Sequence, residues 1–88
     1  MTIDDFSRQL RDEGYTETVT VEREANARLD RHSHPFASKA LVLDGEIQLV
    51  VDGRETTYRA GDIFQLEHGQ PHVERYGPAG VRYLVGRK

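Results

Sequence analysis

This sequence predicts an all-β fold, a small antiparallel barrel or sandwich led by one short helix. Three observations carry that reading. From Tyr15 onward, β-branched and apolar residues alternate or run together in short blocks. Turn signals separate the blocks: Asp44-Gly45, Asp52-Gly53, Ala60-Gly61-Asp62, Gly69-Gln70-Pro71 and Gly77-Pro78-Ala79-Gly80. Only the stretch before Gly14 has a helical period.

The helix comes first. Thr2-Ile3-Asp4-Asp5 has the form of a capping box, in which the Thr2 hydroxyl accepts from an early free amide and Asp5 reaches back to the Thr2 amide. Ile3, Phe6 and Leu10 share one stripe, and Gly14 suits a left-handed stop. The period then changes to two. Thr16 to Glu22 reads as a strand with Val19 and Val21 on one face, and Ala25 to Pro35 keeps a two-residue rhythm around His32 and His34. Asp44-Gly45 and Asp52-Gly53 read as hairpin turns, because both dipeptides supply the positive φ angles that tight strand-matching turns need. They bracket strands at Ala40–Leu43 and Ile47–Val51, and Arg54 to Tyr58 and Ile63 to Leu66 follow. Gly77 to Gly80 separates two last strands, His72–Tyr76 and Val81–Val85. Seven or eight short strands in a single domain spanning residues 1–88 are expected.

Composition narrows the function classes. At 88 residues the chain has room for one domain, and a domain this short buries only about 60% of its unfolded surface. A subunit interface or a metal is the expected supplement, since the sequence has no cysteine and so no disulfide or thiol chemistry. A net charge of −3 with no basic block gives no electrostatic footprint for nucleic acid. No apolar run approaches a membrane span, and the acidic start is unlike a signal peptide, so the cytoplasm is the default compartment.

Four histidines are the candidates for chemistry: His32, His34, His68 and His72. Residues i and i+2 of a strand point to one face, so His32 and His34 present two imidazoles side by side. Neutral imidazole is the commonest protein ligand for divalent transition metals, and His72, opening a later strand, is the natural third. His68 falls in a loop and is expected at the rim.

Around these residues the sequence resembles the cupin superfamily, in its small single-domain, RmlC-like form. The family's first motif is Gly, five residues, His-x-His, three or four residues, Glu, six residues, Gly; its second is Gly, five residues, Pro-x-Gly, two residues, His, three residues, Asn. His32, His34 and Gly45 fall in register with the first, and Gly61, Gly69 and His72 with the second. The chain departs at Asn26 for the first Gly, Ser38 for the Glu, Glu67 for the Pro and Tyr76 for the Asn. The resemblance implies a double-stranded β-helix (jelly-roll) barrel that holds one divalent metal through His32, His34 and His72, a three-histidine variant lacking the motif glutamate. Three imidazoles suit iron(II), nickel, copper or zinc, whereas manganese affinity should suffer.

Asp30 shares strand parity with His32 and His34, and Glu74 with His72, so either carboxylate could face the interior in place of the missing one. A solvated charge or an ion pair with Arg28 or Arg75 is the plainer role for both. Ser38 and Tyr76 should point inward, each hydroxyl bonding a water on the metal, a substrate or the backbone. Arg28 could orient an anionic ligand or serve a structural ion pair. The unbroken runs Leu41-Val42-Leu43 and Leu49-Val50-Val51 imply burial on both faces. A partner subunit, making a homodimer, is the economical cover, and the Ile3, Phe6, Leu10 helix is the other.

Cupins span several chemistries, so two functions stand together. One is a non-catalytic module that binds or senses a small-molecule ligand with the metal as anchor. The other is an iron(II)-dependent dioxygenase-like enzyme acting on a small thiol, diketone or phenolic acid.

Overall fold

The computed structural model describes residues 1–88 as helix α1 (Ile3–Asp12) and strands β1 (Glu17–Arg23), β2 (Arg28–His32), β3 (Ser38–Val51), β4 (Arg54–Arg59), β5 (Ile63–Leu66) and β6 (His72–Arg87). All pairing is antiparallel. The two long strands, β3 and β6, pair with each other along their lengths and divide the remaining strands between their halves. The first half of β3 pairs with β5 and the second half of β6 with β1; the second half of β3 pairs with β4 and the first half of β6 with β2. Two layers result, β1-β6-β3-β5 and β2-β6-β3-β4, with both long strands passing from one to the other. The seven or eight short strands of the sequence reading correspond to these halves.

What lets the long strands change layer is a pair of irregularities facing each other. Register shifts lie between Val42 and Asp44 and between Gly45 and Ile47, opposite Val81 and Arg82 and the extra residues 77–80 of β6. The expected hairpin at Asp44-Gly45 is therefore a bulge inside β3, and the expected break at Gly77–Gly80 is an irregularity within the continuous strand β6. The positive φ that marks a turn in sequence serves a bulge equally well. Asp52-Gly53 does turn the chain, joining Val51 to Arg54 with positive φ at both residues.

Each bulge also reverses which residues face inward. Ala40 and Val42 face the core before it, Ile47 and Leu49 after it; in β6, His72, Glu74 and Tyr76 give way to Val81, Tyr83 and Val85. These side chains, with Phe64 and Leu66, fill the space between the layers. Gly45 sits where the strands cross most closely: a Cβ there would lie 2.1 Å from the Gly80 carbonyl oxygen.

A second, smaller core lies outside the barrel. Phe6, Leu10 and Tyr15 cover Leu41 and Leu84, with Leu43 and Ile63 at its margin. The helix thus covers the outer side of the Leu41 run within this chain. Gly86 gives Leu10 and Tyr15 their close approach, and Lys39 anchors the helix end through Glu13 at 2.9 and 3.0 Å. The expected capping box is present, with the Asp5 amide donating to Thr2 Oγ1 at 3.0 Å. Ile3 departs from the expected stripe and is exposed. No helix is long and apolar enough to cross a membrane.

Candidate metal centre

The second layer's inner face brings the predicted histidines together. His32 closes β2 directly opposite His72, which opens β6. His34 lies two residues beyond β2, in a segment held by the Gly69 amide donating to the His34 carbonyl and by paired backbone bonds between Ala37 and Lys88. The three rings cluster at centroid separations of 4.9 Å (His32–His34), 4.3 Å (His32–His72) and 5.4 Å (His34–His72). His72 is fully enclosed, while His32 and His34 are half-buried.

Glu74 completes the cluster. Two residues beyond His72 on the same strand, it is buried, and one potential ligand atom from each of His32, His34, His72 and Glu74 lies within 4.8 Å of all the others. Glu74 Oε2 stands 3.0 Å from His32 Nε2 and 3.1 Å from His72 Nε2; its Oε1 accepts a hydrogen bond from the Tyr76 hydroxyl at 3.1 Å. The other ring nitrogens are committed. His32 Nδ1 meets the Asp30 carbonyl at 2.7 Å and His72 Nδ1 the Gln70 carbonyl at 3.0 Å. A carbonyl only accepts, so both Nδ1 atoms carry protons and both neutral rings turn an Nε2 lone pair toward Glu74.

That arrangement is unfavourable unless something positive lies among the lone pairs. In the metal-free protein protons do this service. Burial disfavours charge on both groups, yet the hydrogen bonds between them prevail: His72 is raised above the ordinary imidazole value and Glu74, bonded also by Tyr76, is held below the ordinary carboxylate value. His34 is lowered, by burial first and then by the neighbouring imidazoles, which keeps its lone pair available. A divalent cation would place one centre of charge among these lone pairs instead. His32, His34, His72 and Glu74 could each offer one donor atom to such an ion, the four atoms lying within 4.8 Å of one another.

The remaining candidates divide. Tyr76 is buried and its hydroxyl steadies the Glu74 carboxylate; burial and that carboxylate raise its pKa strongly. Ser38 is buried beside His34 and Glu74 on a cavity of about 70 Å³. Arg28 and Asp30 are elsewhere: they pair with each other at 2.8 Å on the exposed surface, with side chains 66% and 82% exposed. The parity that would have turned them inward fails because β2 carries a register shift between Leu29 and His32. Leu29, not Asp30, lies opposite Glu74. His68 is exposed in the loop between β5 and β6, as expected. Sequence reasoning missed Arg23 and Arg87, which line the same small cavity as His34 and Glu74.

Residues 19–83 match the family model for the cupin domain. The chain belongs to the cupin family. Among solved structures, this cupin is similar to an RmlC-like cupin from Shewanella frigidimarina NCIMB 400, with TM-score 0.68 and 23% identity over 80% of this chain and 63% of that one. It is also similar to a putative ethanolamine utilization protein Q from Salmonella typhimurium LT2, with TM-score 0.70 and 22% identity over 88% and 60%. KdgF from Halomonas sp. gives TM-score 0.66 and 20% identity over 81% and 67%. The cupin described here thus spans about three fifths to two thirds of the length of these structures. Among curated proteins, none matches the sequence.

Proposed function

We propose that this cupin is a small-ligand binding module that uses a divalent transition metal as its anchor, held by His32, His34, His72 and Glu74. The observation that carries the reading is the convergence of two Nε2 atoms on one buried carboxylate oxygen, with both Nδ1 atoms bonded to backbone carbonyls. Three imidazoles and one carboxylate suit iron(II), nickel, copper or zinc, and the Glu74 carboxylate removes the ground on which manganese was disfavoured. A bound ion would supply Lewis acidity and a position for a ligand oxygen or nitrogen. The chain's own residues then fix that position: the Asp30 and Gln70 carbonyls hold His32 and His72 in one tautomer, and Tyr76 aims the Glu74 carboxylate.

Binding is favoured over turnover by the size of the adjoining space. About 70 Å³ beside His34 and Glu74 is well below the roughly 300 Å³ at which pockets begin to enclose drug-sized molecules. The test is metal content by plasma mass spectrometry on protein purified without chelators, beside a His34→Ala/His72→Ala double variant. Near-stoichiometric iron, nickel, copper or zinc in the parent and its loss in the variant is the expected result. A parent that neither carries nor takes up these metals would overturn the reading. Oxygen uptake by the iron-loaded protein with a small thiol, diketone or phenolic acid would instead make it a dioxygenase-like enzyme.

A further inference from the structure

The inner face of the other layer carries two cations that the metal centre does not use. Arg23 ends β1 opposite Val81, and Arg87 ends β6 opposite Ser38. Val81 and Ser38 are both buried, and residues directly opposite in a ladder share a face, so both arginines lie on the barrel's inner face, Arg87 half-buried and Arg23 exposed. They border one cavity together with His34, Ser38 and Glu74. Arg23 forms no ion pair. Arg87 reaches Glu17 with one terminal nitrogen at 3.4 Å, while its Nε is buried without a hydrogen-bond partner. Its guanidinium is held 5.0 Å from the Phe36 ring, which in turn stacks on His34 at 4.9 Å and 14°. The cation is thus positioned against a ligand-bearing segment rather than left to solvent.

The charges do not balance. With a divalent ion bound, Glu74 offsets one of its charges and Glu17, opposite Arg87 in the ladder, offsets one guanidinium, leaving a positive excess around a cavity whose remaining polar groups include the Ser38 hydroxyl. An anion is the complement of that loaded state; without the ion the two arginines and two glutamates cancel. At about 70 Å³ the space takes about two waters, at about 30 Å³ each, or one carboxylate or small oxoanion head group.

We propose that this cavity binds a small oxoanion, a short carboxylate or a tetrahedral oxoanion, between Arg23 and Arg87 on one side and the His34–Glu74 edge of the metal centre on the other. A guanidinium suits this task because its fork of donors matches the spacing of two anion oxygens. The proposal rests on the metal reading for its net charge, and it names the class of ligand that reading leaves open.

Calorimetric titration tests it, with formate, acetate and inorganic phosphate as probes. They are titrated into zinc-loaded and metal-free protein, for the parent, Arg23→Gln, Arg87→Gln and Arg23→Lys, with metal content and melting temperature measured on the same samples. Saturable binding of at least one probe, weakened tenfold or more in each Gln variant and less so in Arg23→Lys, which keeps the charge but loses the fork, with the variants folded and their zinc retained, is expected. A preference for acetate assigns a planar carboxylate, and one for phosphate a tetrahedral oxoanion. Zinc-loaded parent that binds no probe, or binds as well in both Gln variants, overturns the anion pocket and leaves the metal centre standing. Protein that holds no zinc overturns the metal centre and, with it, the excess charge on which the anion pocket depends.

Discussion

A single buried carboxylate organises the site, and a single phenol organises the carboxylate. Tyr76 donates to the Glu74 oxygen that the histidines leave free, so removing its hydroxyl frees the carboxylate to rotate. Tyr76→Phe should fold, and should weaken metal binding about 10- to 100-fold, the usual effect of losing a group that orients a ligand. Competition with a chromogenic chelator measures it, and an unchanged affinity would show that Tyr76 serves packing alone. His32, His34 and His72 were legible in the sequence through their spacing and the family resemblance. Glu74 was legible only as one of two carboxylates with suitable parity. Asp30 and Arg28 take the plainer role the sequence allowed, a solvated ion pair; the inward alternative fails because parity survives only along an unbroken ladder, and one extra residue lies between Leu29 and His32. Arg23 and Arg87 escaped notice for a related reason. Facing at the end of β6 depends on residues 77–80, whose composition reads as a turn.

At the level of elements, the same dipeptide behaves in two ways. Asp52-Gly53 joins two strands, whereas Asp44-Gly45 lies within one. What separates them is the neighbour: Gly53 has open space around it, while Gly45 is pressed against the Gly80 carbonyl. Local sequence specifies positive φ but not which backbone will cross above it. Gly45→Ala therefore adds a steric clash to conformational strain, and Gly53→Ala adds strain alone. The expected losses are about 1 kcal/mol for Gly53→Ala and at least about 3 kcal/mol for Gly45→Ala. Urea denaturation of the two variants distinguishes them, and equal losses would contradict the crossing described for β3 and β6. The helix, by contrast, was legible almost throughout, because its cap and stripe are local features; only Ile3 lacks a surface to cover.

For the whole molecule, the metal should contribute a large share of the stability that so short a chain otherwise lacks. A free metal concentration 100 times the dissociation constant adds about 2.7 kcal/mol, and in a domain of this size each kcal/mol is about 4–8 °C, so chelation should lower the melting temperature by about 10–20 °C. The pH dependence should differ in sign between the two forms. His72, raised in the metal-free fold, adds stability that is present below its unfolded value of 6.5 and lost as pH rises through its folded value. Glu74, lowered, adds stability that is present above 4.5 and lost as pH falls through its folded value. The chelated protein should be steadiest between about pH 4.5 and 6.5, and the loaded protein should gain as imidazole protons leave and cease to compete with the ion. Melting curves with and without chelator from pH 4 to 9 check this, and a gap that narrows as pH rises would contradict it. The sharing of β3 and β6 between both layers also bears on how the chain is made. Strand β6 pairs with β1, β2 and β3, yet it follows all of them in the chain, and Glu17 waits for Arg87. A nascent chain can form its helix and the β3–β4 hairpin early, but neither layer can close until residues 72–87 have been translated. Until then it offers open strand edges to whatever else the cell contains, so the risk of misassembly falls on the ribosome-bound stage rather than on the finished protein.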